Sequence, residues 1–329
     1  MTDHYRAALC TALIGPDAIR IEGQVARPLR EGEVRIGVRA AGLNFPDLLM
    51  TFGKYQVRPD PPFVPGMEVA GEVIEVAKGV TGIKSGDRVK AGAKGGGFAE
   101  QLVVPAGAVN PLPEALSFEE GACWHGAAIT AWHALNDKAS LASGETTLIL
   151  GASGGVGMAA VKLAKHKGAF VIGTGSSDAK RAAILEAGAD HVLDPAAADL
   201  ADQVKSLTNG KGVDVVFDPV GGDLSIKATR AIGWGGRFLI VGFASGTIPS
   251  FPANHAMIKG YSLIGLRAGE SGRRDPALGE RNRAALAVLA GQGVMRPHIS
   301  RRFALDETAN ALRALEDRSV IGRAIIVMS

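Results

Sequence analysis

Cysteine is nearly absent from the 329 residues. Cys10 and Cys123 stand alone, at no CxxC spacing, which excludes a multi-sulfur zinc site. Aromatic residues make up only 5%, and no apolar run reaches the ~20 residues of a membrane-spanning helix, so a membrane partner is not expected. The opening stretch, Met1-Thr2-Asp3-His4-Tyr5-Arg6, carries no apolar signal core. A reducing cytoplasm is the expected compartment. An excess of one charge is also missing. The net charge is +3, and the basic residues gather no further than the pairs Arg273-Arg274 and Arg301-Arg302. That falls short of the broad basic face a nucleic acid partner requires.

What is present describes a folded enzyme-sized chain. Apolar residues are 47% and charged residues 21%, a globular balance. The length exceeds the usual span of one hydrophobic core, so two domains are expected. The 44 glycines imply many tight turns and close backbone approaches.

The chain changes rhythm near residue 120. Residues 1–120 read as a β-rich unit, with segments 33–39 and 69–76 alternating polar and apolar residues as half-buried strands do. Ser85-Gly86-Asp87, Gly95-Gly96-Gly97 and the prolines from Pro59 to Pro65 mark the turns. From 121 to 265, short apolar runs alternate with helical stretches. Strands are expected at 147–151, 169–174, 191–193, 213–218, 237–241 and 261–265, with helices at 156–166, 178–187 and 200–207. This alternation predicts an α/β fold with a Rossmann-type, doubly wound parallel sheet. Residues 266–329 hold a helix over 281–289 and a closing strand over 324–327, expected to pack back on the N-terminal unit.

The segment from Leu148 to Gly157 carries the most chemistry. It contains Ala152-x-Gly154-x-x-Gly157, directly after a predicted strand and opening a predicted helix. Glycine at 154 lets the backbone approach a pyrophosphate, and glycine at 157 lets helix and strand pack closely. The helix N-terminus then offers N–H groups to the phosphates. The candidate contacts are Ala152, Ser153, Gly154, Gly155, Val156 and Gly157. The next strand ends Gly173-Thr174-Gly175-Ser176-Ser177, without the acid that holds the ribose of NAD. Small hydroxyls followed by Lys180 and Arg181 suit a 2′-phosphate, which an acid would repel. NADPH is therefore the expected cofactor, with Thr174, Ser176, Ser177 and Lys180 as candidate contacts. Asp178, an acid among them, runs against this pattern.

The chain resembles the medium-chain dehydrogenase/reductase superfamily, in its zinc-free NADPH:quinone oxidoreductase branch. The blocks that carry the likeness are Ala40-Ala41-Gly42-Leu43-Asn44-Phe45-Pro46-Asp47, the stretch from Pro65 to Gly71, and Gly82-x-x-x-Gly86-Asp87-Arg88-Val89. The stretches 128–135, 152–157 and 218–222 continue it, so the likeness runs over essentially the whole length. It implies a GroES-like catalytic domain (1–120 and 266–329) and a Rossmann domain (121–265), with the nicotinamide in the cleft between them. It also implies a homodimer or homotetramer, often joined through the edge of the Rossmann sheet. Thr130, Gly242, Phe243 and either Arg318 or Arg323 are the further cofactor contacts implied.

The metal-dependent members of that superfamily use zinc to polarise a carbonyl or acidify an alcohol. Asn44 stands where their first ligand, a Cys, falls. Met67 replaces the His of a Gly-His-Glu block, and Gly126 occupies the third position. No metal is expected. Without a Lewis acid, the fitting substrate is one already electrophilic, a quinone or another α,β-unsaturated carbonyl compound, whose oxyanion is met by hydrogen-bond donors. The resemblance places Asn44 and Tyr55 beside the nicotinamide, and Asp47 completes the catalytic candidates. Two other readings stay open: an enoyl-thioester reductase, with Arg267, Arg273 and Arg274 holding substrate phosphates, and a non-catalytic NADPH-binding protein of crystallin-like or RNA-binding kind. His125 and His133 read as structural histidines, and no nucleophile–base pair suggests hydrolysis.

Overall fold

The computed structural model describes residues 4–328. The chain opens with strands β1 (His4–Cys10), β2 (Ile19–Val25) and β3 (Glu33–Gly42), followed by helix α1 (Phe45–Thr51). Strands β4 (Glu68–Val76), β5 (Arg88–Gly92), β6 (Gln101–Pro105) and β7 (Val109–Pro111) lead to helix α2 (Phe118–Trp132). Strict alternation then sets in: β8 (Thr146–Ile149), α3 (Gly155–His166), β9 (Phe170–Thr174), α4 (Asp178–Glu186), β10 (His191–Leu193), α5 (Leu200–Leu207), β11 (Val213–Asp218) and α6 (Gly222–Ala231). Next come β12 (Ile232–Ile240), α7 (Ala253–Lys259), β13 (Ser262–Gly265), α8 (Ala268–Arg274) and α9 (Pro276–Gly291). The chain closes with β14 (Ile299–Ala304), α10 (Thr308–Glu316) and β15 (Arg323–Val327).

Two compact units result. The first holds the described residues up to His125 and those from Ile299 onward; the second runs from Gly126 to His298. In the first, a seven-stranded sheet is ordered β14-β15-β3-β4-β5-β7, with β6 also paired to β3, and β1 and β2 form a separate hairpin. Strand β3 is the hub because it pairs antiparallel with β4, β6 and β15. Its Val34, Ile36 and Val38 alternate into a core shared with Val69, Val73, Val89 and Phe98. The closing strand does return to this unit, pairing Ile326 with Ala41.

The second unit is built on a six-stranded sheet ordered β10-β9-β8-β11-β12-β13, parallel throughout. In chain order this is 3-2-1-4-5-6, the dinucleotide-binding arrangement, with its switch point between β8 and β11. Leu148, Leu150, Ile172, Val216 and Phe238 are fully buried in its core, which is why these strands read as near-continuous apolar runs.

The stretch 266–298, read from sequence with the first unit, packs in the second. The anchors are polar and invisible to hydrophobic periodicity. Trp132 Nε1 donates to Asn282 Oδ1 at 3.0 Å, and Asn282 Nδ2 donates to Asp137 Oδ2 at 2.8 Å. Helix α9 is also longer than the expected 281–289, because Asp275 Oδ1 accepts from the Leu278 N–H at 2.9 Å with Pro276 in the first turn. Among the described residues, no helix is long and apolar enough to cross a membrane.

Candidate cofactor and active site

In the second unit, the turn between β8 and α3 is shaped by what it cannot contain. A Cβ at Gly157 would lie 2.3 Å from the Gly151 carbonyl oxygen and 2.8 Å from Ala152 Cα, so any side chain there pushes helix and strand apart. Gly151 has φ +56, in the left-handed region that favours glycine, and the Gly154 N–H donates back to its carbonyl at 3.0 Å. Helix α3 begins with Gly154 as its N-cap, and the first bond to it comes from the Met158 N–H at 2.8 Å. Gly155, Val156 and Gly157 therefore present first-turn N–H groups with no acceptor inside the helix. This cradle fits a pyrophosphate. Ala152 is fully buried and Ser153 nearly so, which makes their contribution one of backbone shape.

Thr174 differs from the expectation. It is 2% exposed, and its hydroxyl oxygen accepts from the Gly151 N–H at 3.1 Å, so it braces the phosphate turn from the neighbouring strand. Ser176 and Ser177 are exposed beyond the end of β9. Ser177 caps α4 by accepting from the Lys180 N–H at 3.3 Å, and Lys180 Nζ lies 3.4 Å from Ser176 Oγ. Arg181 is occupied locally, with Nη2 2.6 Å from Asp178 Oδ1 and Nη1 donating to the Gly175 carbonyl at 3.0 Å. The acid that runs against a phosphate site is thus paired with its neighbour, although its side chain is fully exposed to solvent. Gly242 and the partly exposed Phe243 follow the carboxyl end of β12, at the edge where parallel sheets bind ligands. Thr130 Oγ1 donates to the Gly126 carbonyl at 2.8 Å, within α2.

Sequence reasoning missed one organiser here. Asp218, at the carboxyl end of β11, accepts from the N–H groups of Val220 (2.8 Å) and Gly221 (2.9 Å) and from the Ser225 hydroxyl. Burial pushes its carboxyl above the ordinary range against those bonds. The signal was the Asp218-Pro219-Val220-Gly221-Gly222 run, an aspartate followed by two glycines at positive φ.

In the first unit, the candidates Asn44, Asp47 and Tyr55 divide by burial. Asn44 is the half-buried N-cap of α1, and its amide makes only a long 3.4 Å contact to the Gly42 carbonyl. Tyr55 is half-buried in the irregular segment after α1. Asp47 is fully buried. Its Oδ2 accepts from the Asn44 N–H at 2.8 Å and its Oδ1 from the Gly66 N–H at 3.2 Å. A group with no exposure touches no substrate, so Asp47 acts by clamping the Asn44 turn to the Gly66 turn. Burial pushes its carboxyl up to about 7, against the pull of those two N–H groups and of Arg323.

Arg323 is likewise buried, 3.4 Å from Glu68, and burial pushes the nearby Cys123 thiol up to about 12. Its place in this cluster gives Arg323 an internal role. Arg318 sits on an exposed turn after α10, with φ +53. Among the described residues, no three His, Cys, Asp or Glu side chains gather to hold a metal ion.

The family follows from comparison with known proteins. Residues 30–114 match the family model described as the alcohol dehydrogenase GroES-like domain, and residues 155–280 the one described as zinc-binding dehydrogenase. A quinone oxidoreductase-like protein 2 homolog of Nematostella vectensis is 38% identical over 98% of this chain and 88% of its own length. This chain belongs to the medium-chain dehydrogenase/reductase superfamily, in its quinone oxidoreductase branch. A probable oxidoreductase from Mycobacterium abscessus superposes with a TM-score of 0.90 at 35% identity, covering 98% of this chain and 99% of that one. A mycobacterial protein crystallised with NADPH superposes with a TM-score of 0.89 at 30% identity, with the same coverage. The superfamily's GroES-like and Rossmann parts correspond to the β-rich first unit and the parallel sheet of the second, and an NAD(P)-dependent reductase is the activity these relatives support.

The buried Asp47 carboxyl makes stability depend on pH. Its carboxyl is raised from 3.8 to about 7, so the folded protein holds a proton there that the unfolded chain has lost. The stability it contributes is present below pH 3.8 and falls as the pH rises toward 7. Asp47→Asn turns an amide N–H toward one of the two backbone donors and costs about 1–3 kcal/mol. Denaturant unfolding of both proteins from pH 4 to pH 7 checks this: the penalty shrinks as the pH rises, and a penalty that grew would contradict it.

Proposed function

We propose that this chain is a metal-independent, NADPH-dependent reductase acting on quinones or other α,β-unsaturated carbonyl compounds. The observation that carries the reading is the end of β9, where Ser176, Ser177 and Lys180 meet beside a phosphate turn and the acid at Asp178 is paired with Arg181. A 2′-phosphate at that place meets hydroxyls and an ammonium and no uncompensated carboxylate. The NADPH found with the mycobacterial relative supports the same choice. When bound, the reduced nicotinamide supplies a hydride.

The protein's own residues do the rest. The first turn of α3, from Gly155 to Gly157, takes the pyrophosphate, and Gly242, Phe243 and Thr130 line the dinucleotide further along. Asn44 donates an amide hydrogen bond to the acceptor oxygen as negative charge develops there, and Tyr55 donates or covers a ring face. Asp47 holds Asn44 in position. The metal independence rests on the donor set. Asn44, Met67 and Gly126 stand where zinc-dependent relatives carry ligands, and neither a thioether nor a glycine replaces thiolate or imidazole for zinc.

The enoyl-thioester alternative needs arginines for substrate phosphates. Two of its candidates are already engaged: Arg273 and Arg274 pair with Glu270 at 2.7 and 2.8 Å. The non-catalytic alternative predicts binding without turnover. We also propose a homodimer, a tetramer being a pair of these, through the β13 edge. There Trp234 is 83% exposed beside Gly260, and Met257 and Ile258 of α7 leave further apolar surface. The free, buried Cys10 and Cys123 suit a reducing cytoplasm.

Two measurements test these readings. Steady-state kinetics with naphthoquinone should give Lys180→Ala a KM for NADPH raised about tenfold, the loss of one charge-assisted contact, with the KM for NADH unchanged. An unchanged preference, or turnover of crotonyl-CoA with none of the quinone, contradicts the assignment. Sedimentation should find a dimer that Trp234→Lys converts to monomer; a monomeric wild type contradicts the edge interface.

A further inference from the structure

A second constellation of reactive groups lies in the second unit, among residues that the reductase reading does not use. The chain leaves α2 through a π-helical turn, His133–Lys138, and the wider turn brings His133 and Asp137 to one side. His133 Nδ1 is 2.8 Å from Asp137 Oδ2, and His133 Nε2 is 3.1 Å from the Ser271 hydroxyl on α8. Asp137 is in turn oriented by Asn282, whose Nδ2 donates to the same Oδ2 at 2.8 Å, and by Asn136, whose Nδ2 donates to Oδ1 at 3.1 Å. The His133 side chain is 2% exposed, whereas Ser271 is half-buried.

The hydrogen bonds fix the direction of the network. Burial alone would raise the Asp137 carboxyl, but the bonds from His133, Asn282 and Asn136 hold it below its ordinary value, so it is ionised and only accepts. In the neutral imidazole, Nδ1 then carries its proton toward Asp137 and Nε2 accepts from the Ser271 O–H. Serine, imidazole and carboxylate stand in the order and at the spacing of a nucleophile, a base and the group that orients the base.

We propose that Ser271 is an activated, acyl-accepting nucleophile, with His133 as its base and Asp137 as the group that orients His133. With an activated aryl ester, Ser271 Oγ forms a bond to the ester carbonyl carbon as its proton moves to His133 Nε2. The bond from that carbon to the aryl oxygen then breaks, the phenolate takes the proton from His133, and an acyl-serine remains. No oxidant or reductant takes part. The backbone places a limit on the reaction. The Ser271 N–H is bound to the Arg267 carbonyl at 2.9 Å within α8, so the donor that would steady an oxyanion at this serine is engaged. The arrangement activates the attacking group and leaves the tetrahedral oxyanion without that donor, so it predicts slow, stoichiometric acylation and not rapid turnover.

The test is covalent. The full chain is incubated with p-nitrophenyl acetate or with a fluorophosphonate probe, and the modified peptide is located by mass spectrometry while released phenolate is followed. Ser271 should carry the label, with about one phenolate released per chain and no fast steady state. Ser271→Ala should abolish the label and keep the wild-type melting temperature. Asp137→Asn, which turns the imidazole to the wrong tautomer, and His133→Gln should each slow labelling by about a hundredfold, the usual worth of a positioned base. Where one of these fails to fold, the other carries the comparison, and where both do, the site of the wild-type label decides. No label on Ser271, labelling spread over other serines, or a wild-type rate in folded Asp137→Asn or His133→Gln would overturn the proposal.

Discussion

The close contact of the α3 N-terminus with the end of β8 is the constraint on which the cofactor-binding unit depends. With a Cβ at Gly157 only 2.3 Å from the Gly151 oxygen, the helix can approach this far only as glycine permits. That approach aims three N–H groups at one point above the switch between β8 and β11. Around it the strands supply bracing: Thr174 from β9 holds Gly151, and Asp218 from β11 gathers the turn into α6. The sheet's near-continuous apolar core keeps these strand ends in register, so the anion site is a consequence of packing as much as of the loop.

In the first unit the equivalent role falls to a buried carboxyl. Asp47 joins two turns far apart in sequence, Asn44 and Gly66, through their backbone N–H groups. Leaving either donor unpaired in a buried site would cost about 1–3 kcal/mol, which explains an acid in a fully buried position. The consequence for function is indirect. The Asn44 turn is set by a fully buried neighbour, and Glu68 and Arg323 lie close enough to shift that neighbour's charge.

The fold was legible because periodicity reports burial. Runs such as Val213–Asp218 and Phe170–Thr174 are apolar on both sides because helices cover both faces, and the glycine spacing from 151 to 157 declared its turn directly. What sequence concealed was carried by polar contacts between distant residues. Nothing in the run from 266 to 298 reveals that Asn282 bonds Trp132 and Asp137, so periodicity places that stretch with the first unit while it packs in the second. Thr174 read as a cofactor contact because its spacing suits one, while its hydroxyl is turned inward to Gly151. Asp47 read as catalytic because acids in a loop motif often are, and only its burial reassigns it. His133 reads as a structural histidine and is buried between Asp137 and Ser271, the latter on a helix that periodicity does not mark.

Reduction of an electrophilic acceptor by NADPH, with hydrogen-bond donors in place of a metal, is the proposed reaction. Its most direct test is the rate of naphthoquinone reduction by NADPH after exhaustive chelation, with metal content measured on the same sample. The account predicts an undiminished rate, a metal content far below one per chain, and NADH as the poorer donor. A rate that collapses on chelation and returns with zinc, or a preference for NADH, would contradict it.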